Sequence, residues 1–61
     1  MTIMELAAAW TENDRTGDYA GRKISLEEAE TLVGYMDPDV LEALSEPITP
    51  EAFMEAWNEI N

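Results

Sequence analysis

The residues of this chain that could do chemistry are its carboxylates. Fourteen Asp and Glu stand against three Lys and Arg, with no histidine and no cysteine, for a formal net charge of -11. Carboxylates can exchange protons in acid–base catalysis, ligate a hard cation, or face the cations of another macromolecule. The first use is a poor fit. Nucleophilic chemistry of the Cys–His or Ser–His–Asp kind lacks its histidine. A carboxylate pair would need a buried cleft, for which a helical chain of 61 residues has little room. Gly17 and Gly21 do not form a phosphate-cradling loop, because the lysine–serine ending is missing. The expectation is a protein with no enzyme activity and no cofactor.

The second use is tested by the stretch DRTGDYAGRKISLEEAE, residues 14–30, which offers acids, two glycines and a glutamate-rich helix start. A zinc site is improbable without His or Cys, so the question is calcium. The segments RKISLEE and EPITPEAF each carry an isoleucine, a Ser or Thr cap and a glutamate-bearing helix start. With the order helix, loop, helix, helix, loop, helix, nearly the whole chain resembles a paired EF-hand. That resemblance implies that Ile24 and Ile48 pair as a minimal two-strand contact. The ligands depart from the family pattern, which needs oxygens at loop positions 1, 3, 5 and 12 and glycine at 6. With Gly21 at position 6, Asp18 and Glu27 are good ligands, but Thr16 is poor, Ala20 has no side-chain oxygen, and Lys23 takes the isoleucine position. Placing Ile24 correctly puts Gly17, Tyr19 and Gly21 on ligand positions, and starting from Asp14 puts Tyr19 where glycine is required. In the second loop Ala52 occupies the place of the closing glutamate. Arg22 and Lys23 bring positive charge to the site. No metal site is expected, and a metal-free helix–loop–helix pair is the more credible form.

The elements that would position these acids are legible from caps and periodicity. Thr2 and Glu5 fit a capping box, and Ile3, Leu6, Ala7 and Trp10 give the first helix an apolar face that fades after Thr11. Residues 13–23 form the longest irregular stretch, with Tyr19 as its anchor. Ser25 and Glu28 repeat the capping box for a second helix that buries Leu26, Ala29, Val33 and Met36 beside Leu32; Gly34 near its end would permit a close contact. Asp37 and Pro38 open a short third helix with Val40, Leu41 and Leu44 inward, ended by Pro47. Thr49 and Pro50 open a fourth with Phe53, Ala56, Trp57 and Ile60 inward. The fold class is therefore mostly α: four short helices, possible as an EF-hand-like pair, in one small acidic domain over residues 1–61. The size is near the lower limit for folding on one apolar core, and no disulfide can reinforce it. A hydrophobic fraction of 46% is too high for a disordered tail. The longest apolar run, Leu6 to Trp10, is far short of a membrane span. The default setting is cytoplasmic and reducing.

The third use fits the charge pattern. The three bases, Arg15, Arg22 and Lys23, lie within nine residues, and from Ile24 onward there are ten acids and no base. The bases are expected to neutralise nearby acids such as Asp14, Asp18 and Glu27. Glu51, Glu55 and Glu59 follow i, i+4, i+8 on the fourth helix, Asp39, Glu42 and Glu46 follow i, i+3, i+7 on the third, and Glu27, Glu28 and Glu30 crowd the start of the second. A solvated face explains some of this, and acids in a first turn complement the helix dipole. It leaves the missing Lys and Arg unexplained, since each uncompensated like-charge pair at i, i+4 costs about 0.2–0.5 kcal/mol. Three explanations remain: mimicry of nucleic-acid phosphates, adaptation to a salt-rich cell, and an acidic docking face for a basic protein that never meets nucleic acid. Tyr19, Tyr35 or Trp57 could stack where bases would lie, although each also suits the core. In size and charge the chain resembles small acidic inhibitors from phages and mobile elements, including anti-CRISPR proteins and other DNA mimics. The likeness is compositional and transfers no residue. It implies a stoichiometric blocker of a nucleic-acid-binding protein, working in the host cytoplasm if phage-encoded. The expected partner is a basic protein surface, with no direct contact to nucleic acid or membrane.

Overall fold

A computed structural model describes residues 1–14 and 17–61 of the chain. Among these residues there are four helices, α1 (Ile3–Asn13), α2 (Leu26–Gly34), α3 (Pro38–Ala43) and α4 (Pro50–Ile60). Each begins on the cap its sequence offers. Thr2 and Ser25 close full capping boxes with Glu5 and Glu28, and Asp37 and Thr49 cap helices whose first residue is proline. α1 runs two residues past the expected end. Near its end Thr11 donates to the Ala7 carbonyl (2.9 Å) and the Asn13 side-chain amide to the Ala9 carbonyl (2.8 Å), so both polar side chains bond back to the turn before them. α3 ends at Ala43, ahead of Pro47.

α4 is the central helix, with α1 and α2 packed on it. Phe53 and Trp57 are fully buried, and alanines Ala7, Ala29 and Ala56 are buried beside them. The rings form a continuous string. Trp10 meets Phe53 edge-on with centroids 6.4 Å apart, Phe53 lies 5.8 Å from Trp57, and Tyr19 meets Trp57 edge-on at 6.2 Å. Such contacts add to the area that the rings remove from water. Val40 and Leu41 of α3, and Leu44 just after it, pack partly buried against this core. Two residues expected inside are not. Leu26 is 39% exposed, because at about 100° per residue it lies roughly 90° from the centre of the arc holding Ala29 and Leu32. Ile60 is in phase with Phe53 but sits in the last turn of α4 and is 36% exposed.

The long α1–α2 connection is fastened to α4. Gly17 and Gly21 take the left-handed backbone that its turns require, at φ 78° and 71°. The Asp14 carboxylate accepts from the Tyr19 amide (2.6 Å), and the Trp57 indole donates to the Arg22 carbonyl (3.1 Å). The Ile24 N–H donates to Asn58 Oδ1 (2.8 Å), and Asn58 Nδ2 donates to the Ile24 carbonyl (3.3 Å). This last pair replaces the two-strand contact expected between Ile24 and Ile48. Among the described residues there is no strand. A side-chain amide has the donor and acceptor of a peptide group, and here it takes both backbone groups of the buried isoleucine. At the other end, Met1 is clasped by the α3–α4 connection: its carbonyl accepts from the Ser45 amide (2.7 Å) and hydroxyl (3.1 Å). The Glu46 carboxylate accepts from the Ile3 amide (3.0 Å), satisfying a first-turn donor of α1.

A Cβ at Gly34 would meet nothing within 4 Å, so the expected close contact there is not made. Gly34→Ala is expected to stabilise the fold by a few tenths to about 1 kcal/mol. Asn58→Ala leaves both Ile24 backbone groups without partners, and is expected to cost about 1–3 kcal/mol. Urea unfolding followed by tryptophan fluorescence measures both. A loss below about 0.5 kcal/mol for Asn58→Ala would show that water replaces the amide at no real cost.

Candidate partner-binding surface

The acidic ridge of α4 follows from the phase of its core. With about 100° per residue, Glu51, Glu55 and Glu59 fall roughly opposite Phe53 and drift toward Ala56 by about 40° per step. All three are exposed. Between the ridge and the core lie the small residues Ala52 and Ala56. These leave a shallow open hollow of about 680 Å³ whose other wall is Ile3 and Met4 of α1. Three expected partner-binding residues meet here: Glu55 and Glu59 from the ridge, and Glu46 from the α3–α4 connection. Lys23 and Asn58 also line it.

The remaining expected residues lie elsewhere. Glu51 extends the ridge beyond the hollow, Glu27 and Glu30 are exposed on α2, and Asp39 and Glu42 are exposed on α3. Glu28 is committed to the fold. It closes the capping box on Ser25, and its carboxylate takes two bonds from the Arg22 guanidinium, in the one ion pair among the described residues. Of the nearby acids, the one that Arg22 pairs with is Glu28, which the sequence reading did not name. Its guanidinium goes to Glu28, its Nε donates to the Asp18 carbonyl, and its plane lies 5.1 Å from the Tyr19 ring centre. Arg15 and Thr16, the latter a ligand position in one calcium register, lie outside the described residues. Of the three aromatics, Trp57 is fully buried, Tyr19 is packed on it, and Tyr35 is 80% exposed.

Sequence reading missed Met4, Lys23 and Asn58 as neighbours of the acids. One signal was available for Met4: it falls off the apolar face of its helix, and it is 43% exposed. The meeting of residues 3 and 4 with 46 and 55–59 had no local signal. Two features constrain the chemistry. Among the described residues no polar or charged side chain is buried, and no three carboxylates are gathered as a metal would need. The surface can accept hydrogen bonds from cationic head groups while its methionine and alanines take aliphatic stems. Glu59 is informative in this respect. It sits in the last turn of α4, where the helix dipole disfavours an anion, and no helix has a base in its last turn. Helix stability does not account for it.

No family model, curated protein or solved structure matches this chain.

The hydrogen bonds from Arg22 hold the Glu28 carboxyl below its ordinary value, helped by bonds from Ser25 and opposed by partial burial. Folded Glu28 therefore releases its proton more readily than unfolded Glu28. Its contribution to stability is complete above the unfolded value and disappears as pH falls through the lower folded value. The stability advantage of the wild type over Glu28→Gln is expected to be constant near neutral pH and to vanish below the ordinary Glu value of about 4.3. Paired urea unfolding curves between acid and neutral pH check this; a difference that does not change with pH would remove the ion pair from the account.

Proposed function

We propose that this protein is a non-enzymatic inhibitor that presents carboxylates to the positively charged surface of a nucleic-acid-binding protein and keeps nucleic acid from it. The observation that carries the reading is the excess of charge: fourteen acids against three bases. The density supports it as well. A net charge of -11 along a longest dimension of 27 Å amounts to about one charge per 2.5 Å, against about one per 1.7 Å of axis for B-DNA. Ten of the fourteen acids are carried on four capped helices around one core, so these are presented at fixed spacing. Carboxylates accept the same bidentate bonds from arginine that phosphates do. The compositional resemblance to anti-CRISPR proteins and other DNA mimics of phages supports the same reading, with the host cytoplasm as the proposed location if the protein is phage-encoded.

A second reading is an acidic docking adaptor with a degenerate, metal-free EF-hand-like form. What favours it is Tyr35, which presents an aromatic ring at the turn between α2 and α3, the kind of residue that anchors protein interfaces. The two readings differ in salt dependence and in what is displaced.

The test uses the immobilised protein to retain proteins from a bacterial lysate, which are then eluted with salt and assayed for nucleic-acid binding by gel shift. Added inhibitor is expected to displace the nucleic acid. The triple change Glu51→Lys, Glu55→Lys, Glu59→Lys is expected to fold, as these side chains are exposed, and to lose competition by about tenfold or more, as charge reversal at an electrostatic interface does. Retained proteins that bind nucleic acid and this protein together, or a competition indifferent to salt, would overturn the inhibitor reading. Loss of retention on Tyr35→Ser, with little salt effect, would favour the adaptor.

A further inference from the structure

The hollow between α1 and α4 has properties that the acids alone do not give it. It has volume, about 680 Å³, because Ala52 and Ala56 are small where the ridge meets the core. It has an exposed apolar wall, since Met4 stands 43% exposed beside the buried Ile3. One of its carboxylates is held in place: Glu46 is fixed by the amide of Ile3 at 3.0 Å, so part of the entropy of ordering that side chain is already lost before any partner arrives. Its lining has three carboxylates to one ammonium, that of Lys23. An apolar wall beneath an anionic rim matches a long side chain with a methylene stem and a cationic head.

We propose that this hollow seats one lysine or arginine side chain of a protein partner. The stem lies along Met4 and Ala56, and the head is bonded by Glu55 and Glu59 beside the fixed Glu46. The inference rests on the reading that the acidic surface engages a basic protein, and it names where a basic side chain enters. The other carboxylates on α2 and α3 then act at longer range, raising the rate of encounter rather than holding the head group.

The probe is an N-acetylated hexa-arginine peptide titrated into the ¹⁵N-labelled full chain, with affinities read by fluorescence anisotropy of the labelled peptide. Amide shifts are expected to concentrate on Met4, Glu46 and residues 52–59. The pair Glu55→Gln with Glu59→Gln is expected to weaken binding about tenfold, as loss of charge-assisted bonds does. The pair Glu27→Gln with Glu30→Gln changes net charge equally and is expected to weaken it less than about threefold, as screened distant charges do. Met4→Ser is expected to weaken binding about threefold and to leave the salt dependence unchanged, since it alters the apolar wall only. Circular dichroism confirms that each variant is folded. Equal losses from the two glutamate pairs, shifts spread over α2 and α3, no effect of Met4→Ser, or no binding of the peptide would each overturn the hollow as the seat. The inhibitor reading fails on a separate result, the coexistence of nucleic acid and this protein on one target, which leaves the peptide data standing.

Discussion

The fold depends on two adjacent residues of α4. Trp57 and Asn58 point to different sides of the helix, and both reach the same loop. The indole fills the core against Phe53 and Tyr19 and spends its one donor on the Arg22 carbonyl. The amide of Asn58 takes both backbone groups of Ile24. Between them they fix residues 19–24, and so set where α2 begins and how it lies on α4. A connection of this length would otherwise carry unpaired backbone groups next to an apolar core, which costs more than a missing contact. In a domain of 61 residues, where total stability is a few kcal/mol, that arrangement decides whether a single structure forms.

Two groups stand out among the fourteen side chains that make the chain so acidic. Glu5, Glu28 and Asp37 bond amides at helix starts, and Glu46 reaches across from another element to bond one more. These acids are explained by the helices they begin. Glu42, Glu55 and Glu59 are not, because they lie in the middle or final turn of helices that have no base to offset them. Self-repulsion among them lowers stability, and no ion pair among the described residues offsets it. The placement of such costly groups on exposed faces of α3 and of the central helix is the physical reason to look outward for their counter-charges.

What could be read from the sequence was what is local. Thr2 with Glu5, Ser25 with Glu28, Asp37 with Pro38 and Thr49 with Pro50 each announce a helix start within four residues, and all four hold. The buried faces of α1 and α4 followed from periodicity, with Ile60 the exception at a helix end. The misses involve long separations. Asn58 meets Ile24 across 34 residues and Glu46 meets Ile3 across 43, and no spacing rule reports such a contact. The isoleucines that suggested a two-strand contact failed for that reason: an amide from α4 satisfied Ile24 first. The particular acid that Arg22 pairs with was not legible either, because its loop doubles back and brings Glu28 into reach six residues later.

The hollow shows why a folded acidic protein differs from an acidic tail of equal charge. A disordered chain with eleven net negative charges would attract the same cations at long range, but each contact would require ordering both side chain and backbone. Here α4 holds Glu55 and Glu59 one turn apart, and the Ile3 amide holds Glu46 beside them. The order already present in the helix and its cap does not have to be created on binding. That advantage exists only while α1 and α4 remain packed, so the apolar string from Trp10 through Phe53 and Trp57 to Tyr19 governs the acidic surface even though none of its residues needs to touch a partner.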